Sequence, residues 1–286
     1  MPSWMSLSRL GAAAAGSIAL LATAGAATAM TTLATTSFRS RALSGQLHYT
    51  IQLPSGYGTS GLRYPVIYFL HGLPATATAY QTLSWVERAL EATGRPAILV
   101  VAQGASAAMS DPEYHDWGSG NNWETALANE LPAYIDTHYR TIASRSGRGI
   151  IGYSAGGYGA TILGLHNLAK YAVIESWSGY FRPTDPSGVN TLDVGSQGED
   201  DYASVHSLVA NLKTRFQRYP TFLGFYVGKN DPTFVADNTR LHRELTAARI
   251  SHLFELYPGG HTTSLWQAHA VRWLTLALDH LQAPTK

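Results

Sequence analysis

Short apolar runs alternate with longer segments of helical spacing along most of the chain. The runs, bounded by Gly or Pro as buried strands often are, read PVIYFLHG (65–72), AILVVA (97–102), GIIGY (149–153), YAVIESWSG (171–179), TFLGFYVG (221–228) and HLFELYP (252–258). The segments between them, such as 79–94, 204–216 and 264–281, carry apolar residues at helical spacing. This alternation predicts an α/β fold with a mostly parallel central sheet and helices on both faces.

The carboxyl ends of the strands are where such a sheet places its functional side chains. The residues directly after each apolar run are therefore the candidates for chemistry. The stretch 179–200 shows neither helical nor strand periodicity and predicts a loop on the substrate side. It is too short for a helical lid, and no long linker is present, so we expect one domain without a large lid.

The N-terminal segment has the pattern of a targeting sequence. A start carrying Arg9 is followed by an uncharged, Ala-rich apolar stretch that ends in the small residues Ala27-Thr28-Ala29. This pattern predicts a secretory signal peptide over residues 1–29 and a secreted domain over residues 30–286, with no membrane span after cleavage. The alternative is an uncleaved N-terminal anchor, because the apolar stretch approaches the length that spans a bilayer.

Composition narrows the possible functions. The chain has 286 residues, 45% of them hydrophobic, which suffices for a sizeable core. The net charge of +1 gives no signal for a nucleic-acid partner. The absence of cysteine excludes disulfides, a thiol nucleophile and thiolate metal sites. Because no two histidines stand four residues apart on a predicted helix, we expect neither a metal nor another cofactor.

The segment GYSAGGYGA contains the pattern G-x-S-x-G around Ser154. It follows the apolar run at 149–153 and precedes a predicted helix, the context in which such a serine is a nucleophile on a sharp turn. Gly152 and Gly156 would leave room for the close approach of chain that this turn requires, and Gly157 would let the helix pack on the sheet. A glycine-rich turn that serves packing alone is the alternative.

A nucleophilic serine needs a base and a carboxylate that orients the base. Among eleven histidines, His261 follows the last strand on a Gly-rich loop, which predicts it as the base; His115, which also lies in a loop, is the alternative. Asp231 follows the strand at 221–228 and lies between serine and histidine in the chain order expected of this site. Asp237 is the rival, although an acidic residue at a helix start also has a capping explanation.

Acyl transfer also requires N–H donors for the developing oxyanion. One predicted donor is the N–H of Ala155, directly after the nucleophile. The other is expected from the loop after the 65–72 strand, where Leu73 is our choice and Gly72 the second. Pro74 has no N–H and is excluded. We expect His71 to orient this loop through hydrogen bonds rather than to act in catalysis.

Four segments together resemble the putative-esterase group of α/β-hydrolases, which includes S-formylglutathione hydrolases, feruloyl esterases and mycolyltransferases. They are YPVIYFLHG, WETALANELPAYIDTHY, GYSAGGYGA and GKNDPTF…PGGH. The resemblance implies an α/β-hydrolase fold, Ser154 as nucleophile, Asp231 as acid and His261 as base. It also implies Leu73 and Ala155 as oxyanion donors.

The chain departs from two branches of this group. Mycolyltransferases typically have Asp where this chain has His71, and a larger residue where it has Ala155, which favours hydrolysis over mycolyl transfer. S-formylglutathione hydrolases are cytosolic and have no leader segment, unlike this chain.

The sequence therefore predicts a secreted serine carboxylesterase acting on a small-molecule, polysaccharide or lipid ester. One alternative is an acyltransferase in which the same three residues pass the acyl group to a sugar or lipid hydroxyl; the aromatic segment 113–123 could then stack on a sugar ring. The other is a binding module on a hydrolase fold without catalysis.

Overall fold

The computed structural model describes residues 31–32, 35–185 and 190–286, so the signal peptide predicted for residues 1–29 lies outside the described residues. Nine strands of the described chain form one sheet. They are β1 (Thr31–Thr32), β2 (Thr36–Ser40), β3 (Gly45–Leu53), β4 (Val66–Leu70), β5 (Ile98–Ala102), β6 (Arg148–Tyr153), β7 (Val173–Trp177), β8 (Phe222–Gly228) and β9 (Leu253–Tyr257). Their order is β1-β3-β5-β4-β6-β7-β8-β9, with β2 also paired to β3.

The sheet has a parallel part and an antiparallel edge. From β5 through β4, β6, β7 and β8 to β9, every neighbouring pair is parallel. Strand β3 pairs antiparallel with β5, and β1 and β2 pair antiparallel with β3. The mostly parallel sheet predicted from the apolar runs is confirmed.

The helices of the described chain connect these strands. They are α1 (Tyr57–Ser60), α2 (Ser84–Ala92), α3 (Trp123–Thr125), α4 (Leu131–His138), α5 (Ala155–His166), α6 (Gln197–Ala203), α7 (Val205–Arg218), α8 (Val235–Ala247) and α9 (Thr263–Asp279). No helix in the described part of the chain is long and apolar enough to cross a membrane.

Alternate side chains of β4 enter two different hydrophobic cores. Ile67 and Phe69 pack with residues of α2 and α9 on one face of the sheet. Tyr68 and Leu70 pack with residues of α4, α5, α7 and α8 on the other face. This period of two follows from strand geometry, and it explains why the central strands are apolar without interruption.

One local prediction differs from the structure. Residues 197–200 of the stretch expected to be a loop belong to α6, whose N-terminus has a capping box formed by Ser196 and Glu199.

The helical run from α3 to α4 changes geometry along its length. A π-helical segment, Ala126–Glu130, joins α3 to α4, and Pro132 lies in the first turn of α4. Asn122 lies at the N-cap of α3, and its side chain accepts a hydrogen bond from the N–H of Gly118.

Candidate active site

Ser154 lies between β6 and α5 with φ of 54° and ψ of −126°. A positive φ is rare for a residue with a side chain, so this serine is strained by its position in the turn. The turn is held in place by the N–H of Ser154, which donates to the carbonyl of Trp177 at 2.9 Å, and by the carbonyl of Ser154, which accepts from the N–H of Gly157 at 2.8 Å.

The glycines around Ser154 are required by close approach of the backbone. A Cβ added to Gly152 would lie 2.1 Å from the carbonyl oxygen of Gly156. A Cβ added to Gly156 would lie 2.2 Å from the carbonyl oxygen of Leu70 at the end of β4. These distances leave no room for a side chain, and α5 therefore begins directly against the sheet.

Ser154, His261 and Asp231 form one hydrogen-bonded chain at the carboxyl ends of β6, β8 and β9. Nε2 of His261 lies 2.9 Å from Oγ of Ser154. Nδ1 of the same ring lies 2.9 Å from Oδ2 of Asp231. The structure thus brings together the three side chains predicted from the ends of separate apolar runs. Ser154 and His261 are partly accessible, with 8% exposure for the serine and 27% for the histidine side chain.

Asp231 is fully buried and held by its own loop. Its Oδ1 accepts hydrogen bonds from the N–H groups of Thr233 and Phe234 at 3.1 and 3.0 Å. Its other oxygen is left to face His261. The rival Asp237 instead contacts Nε2 of His206 at 3.0 Å and therefore does not orient His261.

The His261 ring is also fixed by aromatic neighbours on two sides. Phe234 and Trp266 both meet it edge to face, with ring centroids 4.9 and 5.1 Å away. The indole N–H of Trp266 donates to Oγ of Ser178 at 3.0 Å, and its ring packs on Tyr153. Such packing restricts rotation of the imidazole and favours a preorganised site.

His115, the other loop histidine considered as the base, makes a different contact. Its Nε2 lies 2.6 Å from the phenol oxygen of Tyr158, and burial lowers its pKa to about 4. The structure does not bring it to Ser154.

The loop after β4 lies against the nucleophile. A Cβ added to Gly72 would lie 2.8 Å from Cβ of Ser154, so Leu73 follows a residue in direct contact with the serine. Burial raises the pKa of Tyr153, and a hydrogen bond from the Gly72 backbone opposes that rise. Leu73 stays the predicted oxyanion donor of this loop, with Gly72 as the second choice. Ala155 is the first residue of α5, where the N–H has no acceptor within the helix.

The aromatic segment 113–123 is buried at both ends and partly exposed in the middle. Tyr114 and Trp123 are buried, whereas Trp117 is partly exposed. The suggested stacking of this segment on a sugar ring therefore does not fit the positions of Tyr114 and Trp123.

A cavity of about 290 Å³ adjoins the loop of Asp231. Its lining includes Tyr180, Arg182, Thr233 and Phe234, and the ring of Phe234 also meets the His261 ring, with centroids 4.9 Å apart. A larger cavity of about 640 Å³ lies at the amino ends of β8 and β9, away from the three side chains. In the described part of the chain, no group of three His, Asp or Glu side chains could hold a metal ion.

The residues that surround the side chains of Ser154, Asp231 and His261 were not predicted from the sequence. In the sequence, Phe234 and Trp266 are apolar residues next to or within predicted helices, which does not mark them as neighbours of the site. Tyr114 lies in a loop whose sequence shows no periodic pattern. Their proximity to the site depends on contacts between segments distant in sequence.

Comparisons with known proteins bear on the family and the fold of the chain. The family model described as "Esterase: Putative esterase" matches residues 40–274. Esterase Rv1288 of Mycobacterium tuberculosis (strain ATCC 25618 / H37Rv) is 30% identical over 142 residues, covering 50% of this chain and 31% of the relative. The chain thus spans about a third of the length of that curated relative.

Solved structures share the fold. A ferulic acid esterase superimposes with a TM-score of 0.71 at 20% identity, covering 88% of this chain and 99% of the other. An S-formylglutathione hydrolase from Agrobacterium tumefaciens gives a TM-score of 0.72 at 18% identity, covering 87% of this chain and 95% of the other. At these identities the likeness establishes the α/β-hydrolase fold.

Proposed function

The chain belongs to the esterase family of α/β-hydrolases, and from that premise we propose that it is a serine carboxylesterase with Ser154 as nucleophile. The observation that carries the proposal is the hydrogen-bonded chain from Asp231 through His261 to Ser154. The strained φ of Ser154 supports the same proposal, because strain of this kind is concentrated at active sites.

Each group has a defined part in the proposed reaction. His261 Nε2 accepts the proton of Ser154 as Oγ attacks the ester carbonyl carbon, and Asp231 accepts the Nδ1–H of the resulting imidazolium. The N–H groups of Leu73 and Ala155 stabilise the oxyanion. The C–O bond to the alcohol then breaks, and His261 returns its proton to the leaving alkoxide. Water, deprotonated by His261, then attacks the acyl carbon; the bond to Ser154 Oγ breaks, His261 returns the proton to Oγ, and the acid is released.

The cavity beside Phe234 is proposed to receive one side of the ester. Aromatic edges from Tyr180 and Phe234 and the charged Arg182 line it, so it offers both apolar and polar contacts. We also propose that residues 1–29 direct secretion, which the sequence pattern supports; an uncleaved anchor is the competing proposal.

Initial rates with p-nitrophenyl esters of increasing acyl length test the proposal. The Ser154→Ala variant is expected to lose turnover while its thermal unfolding changes little. Undiminished turnover in this variant would contradict the assignment.

Product analysis separates hydrolysis from acyl transfer. Free acid as the sole product, with and without added sugar or lipid alcohols, is the expected result. An acylated acceptor as the main product would identify a transferase that uses the same residues. Absence of both products across hydroxycinnamoyl, acetyl and longer acyl esters would favour a binding module without catalysis.

A further inference from the structure

The phenol of Tyr114 donates a hydrogen bond to the carbonyl oxygen of His71 at 2.5 Å, and both residues are buried. His71 begins the loop that carries Gly72 and Leu73 against Ser154. We propose that Tyr114 is a positioning residue that holds this loop in the conformation needed to stabilise the oxyanion. The inference rests on the proposed function, since only a reaction that develops an oxyanion requires this loop.

Two hydrogen bonds fix the two successive peptide groups of the loop. A peptide group is planar, so the direction of its C=O sets the direction of its N–H. Tyr114 holds the C=O of His71 and thereby directs the N–H of Gly72. The His71 ring faces the C=O of Gly72 at 3.0 Å and thereby directs the N–H of Leu73, the proposed oxyanion donor.

The His71 ring is held in one orientation and one tautomer. The N–H of Gly104 donates to Nε2 at 3.0 Å, so the proton resides on Nδ1, where it donates to the carbonyl of Gly72. Burial lowers the pKa of His71, which keeps the ring neutral as this arrangement requires. Tyr114 fixes the backbone from which this ring extends, and the two contacts therefore act on one loop.

Tyr114 is itself tightly placed. Glu113 and Tyr114 both have positive φ, 44° and 60°, and such strain persists only where the surroundings hold it. The Tyr180 phenol donates to Oε1 of Glu113 at 2.6 Å. A Cβ added to Gly159 would lie 2.4 Å from the Tyr114 ring, and one added to Gly104 would lie 3.0 Å from its phenol oxygen. The close packing of the Tyr114 ring thus directs its O–H at the loop after β4.

The Tyr114→Phe variant removes the O–H and keeps the packing of the ring. Since loss of one oxyanion donor costs about 10²–10³-fold in kcat, partial misplacement of a donor is expected to lower kcat about tenfold and leave KM within about twofold. Affinity for a trifluoromethyl ketone, which adds to Ser154 Oγ and places an oxyanion in the same position, is expected to fall by the same factor.

Tyr158→Phe is the matched control. Its phenol is also buried, and its hydrogen-bond partners, His115 and the carbonyl of Ala203, both lie outside the loop after β4. This variant is expected to keep kcat and ketone affinity near those of the unmodified protein even if its melting temperature falls. Gly104→Ala is the second test variant, because the added Cβ presses on Tyr114 and His71 together; we expect it to lower kcat and ketone affinity in parallel.

Equal kcat and ketone affinity for Tyr114→Phe and Tyr158→Phe would overturn the proposal. A common loss of melting temperature and kcat in both variants would also overturn it, because it would indicate a purely structural role. Failure of the proposed function would be visible separately, as turnover by the unmodified protein that does not depend on Ser154.

Discussion

Nδ1 of His261 lies 2.9 Å from Oδ2 of Asp231, although the two residues come from loops after different strands. The contact fixes which nitrogen of the ring carries the proton and leaves Nε2 to accept the proton of Ser154.

Replacing Asp231 by Asn should therefore keep the arrangement of the three side chains but abolish most of the ester hydrolysis. The amide N–H₂ would favour the opposite tautomer, and we expect kcat for a p-nitrophenyl ester to fall about 10⁴-fold. Asp237→Asn is the control, because Asp237 contacts His206 and Phe181 rather than His261. Its kcat should stay within a few-fold of the unmodified value. Comparable rates for both variants would show that Asp231 does not orient the base.

Gly156 is a position where the turn tolerates no side chain. In Gly156→Ala the Cβ would lie 2.2 Å from the Leu70 carbonyl oxygen, and α5 would have to shift from β4. Such overpacking should lower the free energy of unfolding by about 1–3 kcal/mol, measured by urea denaturation, and reduce esterase activity. Gly198→Ala, where the nearest contact would be at 3.9 Å, should be close to neutral. A stable, fully active Gly156→Ala protein would refute the close-approach argument.

Glu175 should make the stability of the fold fall as the pH rises. Burial in β7 raises its pKa from 4.5 to about 8, while Trp177 and Tyr226 donate to its oxygens. Between these two pH values the folded state retains a proton that the unfolded state has released. This stabilisation is therefore fully present below pH 4.5 and is lost as the pH rises through about 8.

Denaturation curves across this range test the sign. Glu175→Gln should flatten the decrease in unfolding free energy with rising pH, by up to about 1.4 kcal/mol per pH unit. Glu91→Gln, an exposed change on α2, is the control and should keep the original slope. An unchanged slope in Glu175→Gln would mean that the carboxyl group is ionised in the folded protein at neutral pH.

Much of the fold followed from the apolar runs. A parallel strand buried on both faces needs an unbroken run of apolar residues, and all six runs lie in the parallel part of the sheet. Strand β2, TSFRS, is short and has a single apolar residue, Phe38, so neither an apolar run nor an alternating pattern marks it; its pairing with β3 depends on contacts with a separate strand. Helix α6 does have a local sequence pattern, because Ser196 and Glu199 have the spacing of a capping box.

The candidate site was predictable in part for the same reason. Ser154, Asp231 and His261 each follow a strand, and a parallel sheet brings those ends to one edge. Tyr114 could not be found in this way. Its hydrogen bond to His71 joins residues 43 positions apart, and its loop owes its shape to buried side-chain contacts rather than to any periodic pattern.

The central claim, that Ser154 carries the acyl group, is tested most directly by covalent labelling. A fluorophosphonate should transfer one phosphonyl group to Ser154 Oγ with loss of fluoride, visible as a single mass increase on the peptide that contains residue 154. Labelling should abolish ester hydrolysis in proportion to its extent, and Ser154→Ala should take up no label. Ester hydrolysis that continues in a fully labelled protein, or a label found on another residue, would contradict the account.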